Sequence, residues 1–150
     1  MRTVISLLSL IVFLSSLCVS QTQTASAADS HFTVAAIEFQ DVPFGVTEGM
    51  TNVRLFGTFK ATGGKESAII VVVMTDDQFA NWQKGKCNGP CTPNNGGSLY
   101  NSGQVSQGTI HLTMPDGPAN YHLVFNNRHF RYPKAIEADL TWQWSQQSNP

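Results

Sequence analysis

Hydrophobic and polar residues alternate with a period of two along most of the chain beyond residue 31, which is the pattern of half-buried β-strands. The alternation is clearest in residues 109–114, 119–125 and 135–144. Residues 68–74 form a continuous apolar run rich in β-branched side chains, which predicts a central strand buried on both faces. With a shorter run in residues 32–39, the pattern predicts an all-β fold, a jelly-roll-like antiparallel β-sandwich of about six to eight strands.

One short segment departs from the β pattern and predicts a single helix near residues 77–84. Thr75 and two aspartates precede it, and a hydroxyl followed by acids is typical of a helix N-terminus. Phe79 and Trp82 are three residues apart and therefore share one face of this helix. We interpret the two aspartates as capping residues, with a calcium site as the alternative.

The segment Pro-Asp-Gly-Pro at residues 115–118 favours a turn between the strands on either side of it. If those strands pair as a hairpin, only one parity keeps both apolar sets on the same face, and it places His111 opposite His122. Cβ atoms of such neighbours lie about 5 Å apart, close enough to share a metal ion. The two histidines, with His129 nearby, are therefore candidates for a metal-dependent hydrolase; a solvated polar face is the alternative.

The N-terminal residues match a secretory signal peptide. A basic residue is followed by an apolar run over residues 4–19 and by small residues that end in Ala27 and Ala28. We expect a signal peptide over residues 1–27, with cleavage after one of these two alanines. Residues 28–150 then form one domain, which is periplasmic or extracellular and has no stable membrane insertion after cleavage.

Two alternatives to a cleaved signal peptide are disfavoured by the sequence. A transmembrane anchor needs about 20 apolar residues, and the run here is shorter than that. Acylation of Cys18 needs a small residue before the cysteine, where this chain has Leu17.

Composition narrows the class of protein. The chain is 41% hydrophobic and only 13% charged, with a formal net charge of −1. A nucleic-acid binder needs a clustered basic face, and a chain with so few charges and a net charge of −1 does not supply one. An acidic disordered tail is also excluded, because it would contain far fewer apolar residues. Polar uncharged residues therefore fill the turns and outer strand faces.

Cys87 and Cys91 are the two cysteines beyond the signal segment. In an exported protein an even number of cysteines indicates a disulfide, and these two flank a turn-rich tripeptide. Redox pairs usually have two intervening residues rather than three, and no second pair stands at zinc-site spacing.

No enzyme signature stands out. Ser102 and Ser106 lie in a Gly-rich segment but outside a Gly-x-Ser-x-Gly elbow. Glu137 and Asp139 share one strand face, where they form either an acid pair or, as we favour, part of a solvated surface. The sequence predicts a protein that is not an enzyme and has no cofactor.

The candidate binding residues lie in the segment 126–132, which is rich in hydrogen-bond donors and aromatic rings. Arginine and tyrosine are favoured at protein interfaces, so we expect a partner to contact this loop. A carbohydrate-binding platform of Trp142, Trp144, Tyr100 and Tyr132 is the alternative; the two tryptophans share a face with apolar residues, which favours the core. The predicted contact residues are Asn126, Asn127, Arg128, Arg131 and Tyr132.

Four segments together resemble the GOLD domain, the luminal β-sandwich of the p24 (emp24/gp25L) cargo receptors, and its stand-alone exported bacterial relatives. They are the segments at residues 71–82, 100–110, 121–128 and 135–142, and the similar region spans about residues 32–144. The resemblance implies a compact sandwich that mediates protein interactions and has no catalytic residues. In p24 proteins a coiled coil and a transmembrane helix follow this domain; we expect neither here, so cargo trafficking is not part of what the resemblance implies.

Taken together, these patterns predict an exported binding module that interacts with a protein partner. A carbohydrate-binding module, a metal-dependent hydrolase at His111 and His122, and a purely structural envelope component are the alternatives.

Overall fold

The computed structural model describes residues 20–64, 67–85 and 97–147 of the chain. Within these ranges the structure has eight strands and one helix. In chain order they are β1 (Ser20–Val34), β2 (Phe39–Val46), β3 (Met50–Thr62), β4 (Ile69–Thr75), α1 (Asp76–Gln83), β5 (Tyr100–Val105), β6 (Gln107–Thr113), β7 (Ala119–Asn126) and β8 (Lys134–Gln147).

The strands form two four-stranded sheets in which every pair is antiparallel. Sheet A has the strand order β1-β8-β3-β6, and sheet B has the order β2-β7-β4-β5. The inner faces of both sheets contribute to one hydrophobic core. The predicted all-β antiparallel sandwich with one short helix is confirmed.

Alternation along β8 places its apolar side chains in the core, as predicted. Leu140 and Trp142 are each 1% exposed, and Trp144 packs against the same core. The Trp142 ring stacks on Phe44 of sheet B with a centroid distance of 4.1 Å, which joins the two sheets. Burial of each such large side chain stabilises the fold by about 1.5–3 kcal/mol.

Strand β4 is buried on both faces, as its unbroken apolar run predicts. Val71 and Val73 point into the main core, whereas Val72 and Met74 face the other way and pack with Val124 beneath α1. This second, smaller cluster holds the helix against the outer face of sheet B. Phe39, Phe79 and Trp82 cover it.

The helix begins and ends through the local chemistry of its sequence. Thr75 is the N-cap and forms a capping box with Gln78. The interpretation of the two aspartates as capping residues is therefore wrong: both lie in the first turn, where acids suit the positive end of the helix dipole. Gly85 follows the C-cap with φ 66°, a left-handed conformation that favours glycine, and its N–H donates to the carbonyl of Trp82.

The predicted hairpin between the strands on either side of residues 115–118 is wrong. Strand β6 pairs with β3 at the edge of sheet A, and β7 lies between β2 and β4 in sheet B. Alternation determines which face of each strand points inward, but it does not determine the partner strand. Two neighbouring strands can bury their apolar faces equally well in the same sheet or in opposite sheets. Pro115 and Pro118 lack the N–H groups that a hairpin needs next to its turn, so the chain crosses between the sheets.

Strand β1 begins earlier than the alternation indicates. It starts at Ser20, pairs with β8 along its length, and includes Ala27 and Ala28, which are buried. Residues 20–27 of the predicted signal peptide thus lie in a strand, while residues 1–19 lie outside the described part of the chain. Cys87 and Cys91 also lie outside the described residues. The signal peptide and the disulfide therefore stay predictions. Within the described part of the chain, the length and hydropathy that a membrane-spanning helix requires are not found in any helix.

Candidate functional site

Asn127 organises the predicted binding loop from inside. It is fully buried, and its Nδ2 lies 2.8 Å from the carbonyl oxygen of Ala35, 2.9 Å from that of Tyr132 and 3.3 Å from that of Val34. Its backbone N–H also donates to the carbonyl of Glu38. The amide therefore fastens the loop after β7 to the connection between β1 and β2.

Asn126 also has a structural position, being 4% exposed. Its Oδ1 accepts a hydrogen bond from the backbone N–H of Arg128 at 2.9 Å. Two of the five predicted contact residues, Asn126 and Asn127, therefore shape the loop and do not present their side chains to a partner.

Arg128 connects the loop to the helix. Its guanidinium lies over the rings of both Phe39 and Trp82, 4.5 Å and 4.3 Å from their centroids. Such stacking is electrostatically favourable because the ring faces carry negative partial charge. Arg128 is half-buried by this contact, which leaves part of the group for the surface.

Arg131 and Tyr132 are the predicted residues that do face outwards, with Tyr132 53% exposed. Phe130, which precedes them in the loop, is buried at 8% exposure. Lys134 is buried behind it and donates to the carbonyl of Gly63 at 2.9 Å. The loop thus has a packed underside and an exposed aromatic and cationic top.

Ile37 is the residue that sequence reasoning missed. The alternation places it in a strand, but the structure puts it in a turn, where the Glu38 N–H donates to the Ala35 carbonyl at 3.3 Å. Ile37 has φ 64° at the third position of this turn, a conformation that strongly favours glycine. A β-branched residue there is an outlier, and its side chain is 63% exposed.

The alternation of the sequence does not mark this turn. Phe32 and Val34 are the inward positions of β1, and Val42 and Val46 are inward positions of β2, so both strands use even-numbered residues. Phe39 lies on the other face of β2, in the cluster beneath α1. Neither the turn nor the left-handed conformation of Ile37 therefore has a signal in the alternation.

The exposed parts of the two segments form one surface. The Ile37 N–H donates to the Phe130 carbonyl at 3.1 Å, and Asn127 holds the backbones of both segments together. Ile37 and Tyr132 are the large hydrophobic side chains exposed among the described residues. We call Ile37, His129, Arg131 and Tyr132 the Ile37–Tyr132 surface.

A second cluster surrounds His122 on the outer face of sheet B. Its Nδ1 lies 2.9 Å from Oδ2 of Asp41, and its Nε2 lies 2.8 Å from Oδ1 of Asp76. The ring of Phe79 stacks on the imidazole with centroids 4.0 Å apart. Carboxylate oxygens only accept, so both hydrogen bonds form together when both ring nitrogens carry hydrogen.

The electrostatics of this cluster favour an ionised Asp76. The hydrogen bond from Asn120 to Asp76, at 3.0 Å, and then the contact with His122 lower the pKa of this carboxyl below its ordinary value of 3.8. Both ring nitrogens of His122 are hydrogen-bonded to carboxylates, one on β2 and one on α1. The cluster therefore links sheet B to α1, and neither nitrogen is left to act as a base.

The proposed pairing of His111 with His122 is wrong. His111 is exposed on the outer face of sheet A, whereas His122 lies on the outer face of sheet B. The body of the sandwich separates them, and packed sheets stand about 10 Å apart. No group of three His, Cys, Asp or Glu side chains in the described residues could hold a metal ion.

The remaining candidates have structural or solvated positions. Ser102 Oγ accepts from the backbone N–H of Val71 at 2.8 Å and donates to the Gly103 carbonyl at 2.8 Å. Glu137 and Asp139 line an open groove of about 770 Å³ on sheet A, where His31 lies 3.7 Å from Glu137. That pair is largely exposed to solvent and contributes little to stability.

Comparison with known proteins adds no relative. No protein-family model matches the chain, and a search of curated proteins finds no similar sequence.

Proposed function

We propose that this protein is an exported, non-catalytic binding module of the GOLD type, and that its Ile37–Tyr132 surface contacts a protein partner. The observation that carries the proposal is Ile37, which is both exposed and in a left-handed conformation. Neither property stabilises the fold, and residues held in such conformations are concentrated at functional sites.

The energetics of Ile37 favour a role outside the folded chain. The left-handed conformation costs about 1–2 kcal/mol for a residue with a Cβ atom. Its side chain remains 63% exposed and so recovers little of that energy by burial. Contact with a partner would bury this side chain, and the free energy of that burial would offset the cost of the left-handed conformation.

The composition of the surface favours a protein partner. Tyrosine and arginine are enriched in protein interfaces, and Tyr132 and Arg131 are exposed in the loop whose Phe130 carbonyl accepts from the Ile37 N–H. The exposed residues of this loop include no acid, and Arg131 is among them. A partner with acidic and apolar residues would complement this surface, and the resemblance to GOLD domains supports the same function.

A carbohydrate platform has less support. Such a platform uses flat aromatic rings on the surface, but Trp142 is 1% exposed and Trp144 packs against the core. Tyr100 is half-buried, which leaves Tyr132 as the exposed ring of the four that were candidates.

The proposal is tested by crosslinking and capture of the exported protein from its own cell envelope or culture medium. We compare the wild type with Tyr132→Ser, with Ile37→Gly and with His31→Ala, a control on the opposite sheet whose side chain is 82% exposed. We expect the wild type and the control to capture the same protein, and the two surface variants to lose it by at least tenfold. Capture of nothing, or equal capture by all four, contradicts the proposal.

A further inference from the structure

We infer that signal-peptide cleavage takes place between Ser20 and Gln21, so that the mature protein keeps β1 almost whole. This inference rests on the export proposed above. The pattern of small residues alone places cleavage seven or eight residues later, after Ala27 or Ala28, and the fold argues against both of those positions.

The first argument is the pairing of β1. Ser20 lies opposite Gln147 and Val34 lies opposite Lys134, with a single irregularity between Ser26 and Ala28. The N-terminal half of the strand is thus in register with β8 as fully as the C-terminal half. Cleavage after Ala27 would remove that half and leave the N–H and C=O groups along this side of β8 without partners.

The second argument is burial at the alternative cleavage site. Ala27 and Ala28 are 6% and 8% exposed and belong to the main core. Cleavage after Ala27 would create a charged amino group on buried Ala28, and an unpaired buried charge is strongly unfavourable. Cleavage after Ala28 would remove both alanines from the core.

The third argument is the cover that this half-strand gives to the tryptophans of β8. Ala25 lies opposite Trp142, and Gln23 lies opposite Trp144. Neighbours directly across a ladder have Cβ atoms about 4.5–5.5 Å apart, so these residues flank the two rings. Loss of residues 21–27 would therefore expose the end of the core that contains Trp142.

The sequence supports cleavage after Ser20. The apolar run ends at Val19, and Cys18 and Ser20 then stand at positions −3 and −1 of the scissile bond. Signal peptidases require small residues at these two positions, and both side chains are small. The charged, apolar and cleavage regions of a signal peptide are then complete without the polar segment 21–24.

The reaction is a hydrolysis by a signal peptidase of the secretory membrane, with water as the co-reactant. The bond between the Ser20 carbonyl carbon and the Gln21 nitrogen breaks. The water oxygen joins the carbonyl carbon to give the Ser20 carboxylate, and the two protons of the water pass to the Gln21 nitrogen, which leaves as the new ammonium terminus. This amine can attack its own side-chain amide carbon and release ammonia, which gives a cyclic pyroglutamyl end.

The intact mass of the exported protein tests this inference. The full chain is produced in a secreting bacterial host, recovered from the periplasm or medium, and weighed by mass spectrometry. We expect the mass of residues 21–150, or that mass less one ammonia. An exported protein that begins at Ala28 or Asp29 overturns the inference and leaves export intact, whereas an uncleaved chain inside the cell overturns both.

A pair of variants tests the bond itself. Ser20→Arg places a large charged residue at position −1, and we expect precursor to accumulate at least tenfold over the wild type. Thr24→Arg adds the same charge to an exposed position of the same strand, outside the −3 and −1 positions of every site considered, and we expect normal processing. Processing of Ser20→Arg at the wild-type rate contradicts the inference.

Discussion

At the scale of single residues, the isoleucine at position 37 shows how local strain points to function. Its neighbours explain why the turn forms, since the bond from Glu38 to Ala35 closes it and Phe130 accepts from the Ile37 N–H. They do not explain why the third position holds a β-branched residue. A glycine would make the same hydrogen bonds without strain. The fold therefore does not require the isoleucine side chain, whereas binding to a partner would.

We therefore predict that Ile37→Gly raises the free energy of unfolding by about 1 kcal/mol, because relief of the left-handed strain outweighs the added freedom of the unfolded chain. Urea denaturation of the two proteins measures this difference. Ala36→Gly is the matched control in the same turn, where φ is not positive, and it should lower stability by about 0.5–1 kcal/mol. A less stable Ile37→Gly protein would show that the side chain serves the fold.

At the scale of elements, α1 depends on contacts with sheet B more than on its own burial. None of its residues is buried, and it is held by the stacking of Phe79 on His122, the stacking of Trp82 on Arg128, and the hydrogen bond that Asp76 accepts from His122. The helix itself is predictable because its cap and its two aromatic residues are local signals. Its attachment is not, because Asp41, Asp76 and His122 come from three distant segments of the chain.

The lowered pKa of Asp76 gives this attachment a pH dependence. A carboxyl whose pKa is lower in the folded state stabilises the fold above its ordinary value of 3.8, and that stabilisation is lost as the pH falls through this value and below. We predict that Asp76→Asn is less stable than the wild type near neutral pH and that the difference shrinks below pH 4. Thermal denaturation at several pH values measures it.

The control for this prediction is Asp77→Asn. Asp77 lies in the same first turn of α1, but the carboxylates that bond to His122 are those of Asp41 and Asp76. Both variants lose one charge near the helix N-terminus, so the helix dipole affects them alike. If the two variants show the same dependence on pH, the hydrogen bond that Asp76 accepts from His122 is not its source.

The pairing of strands could not be predicted from the sequence pattern, although the inward faces of the strands could. Alternation predicts the inward faces of β6, β7 and β8, because burial of every second side chain is a local property of each strand. The choice of partner strand is not local: Leu112 packs opposite Leu55 in sheet A, although its parity suits a hairpin with β7 equally well. For this reason the pattern predicts the core residues correctly but wrongly places His111 opposite His122.

At the scale of the whole molecule, β1 decides how sheet A ends at its outer edge. The strand begins in residues without apolar alternation, so the sequence pattern treats them as a polar spacer after the signal segment. Only the pairing with β8 shows that they belong to the sandwich. Edge strands commonly carry such polar residues, since one of their sides faces solvent.

We predict that stability is lost when β1 is shortened from its N-terminus beyond Ala25. Of three chains made without the signal segment, those that begin at Gln21 and Ala25 should differ little, because residues 21–24 are exposed. The chain that begins at Ala28 should lose on the order of 3 kcal/mol, because it lacks buried Ala27 and carries a charged amine at a buried position. Thermal and urea denaturation measure the three proteins, and equal stability for all of them would mean that the N-terminal half of β1 is dispensable to the sandwich.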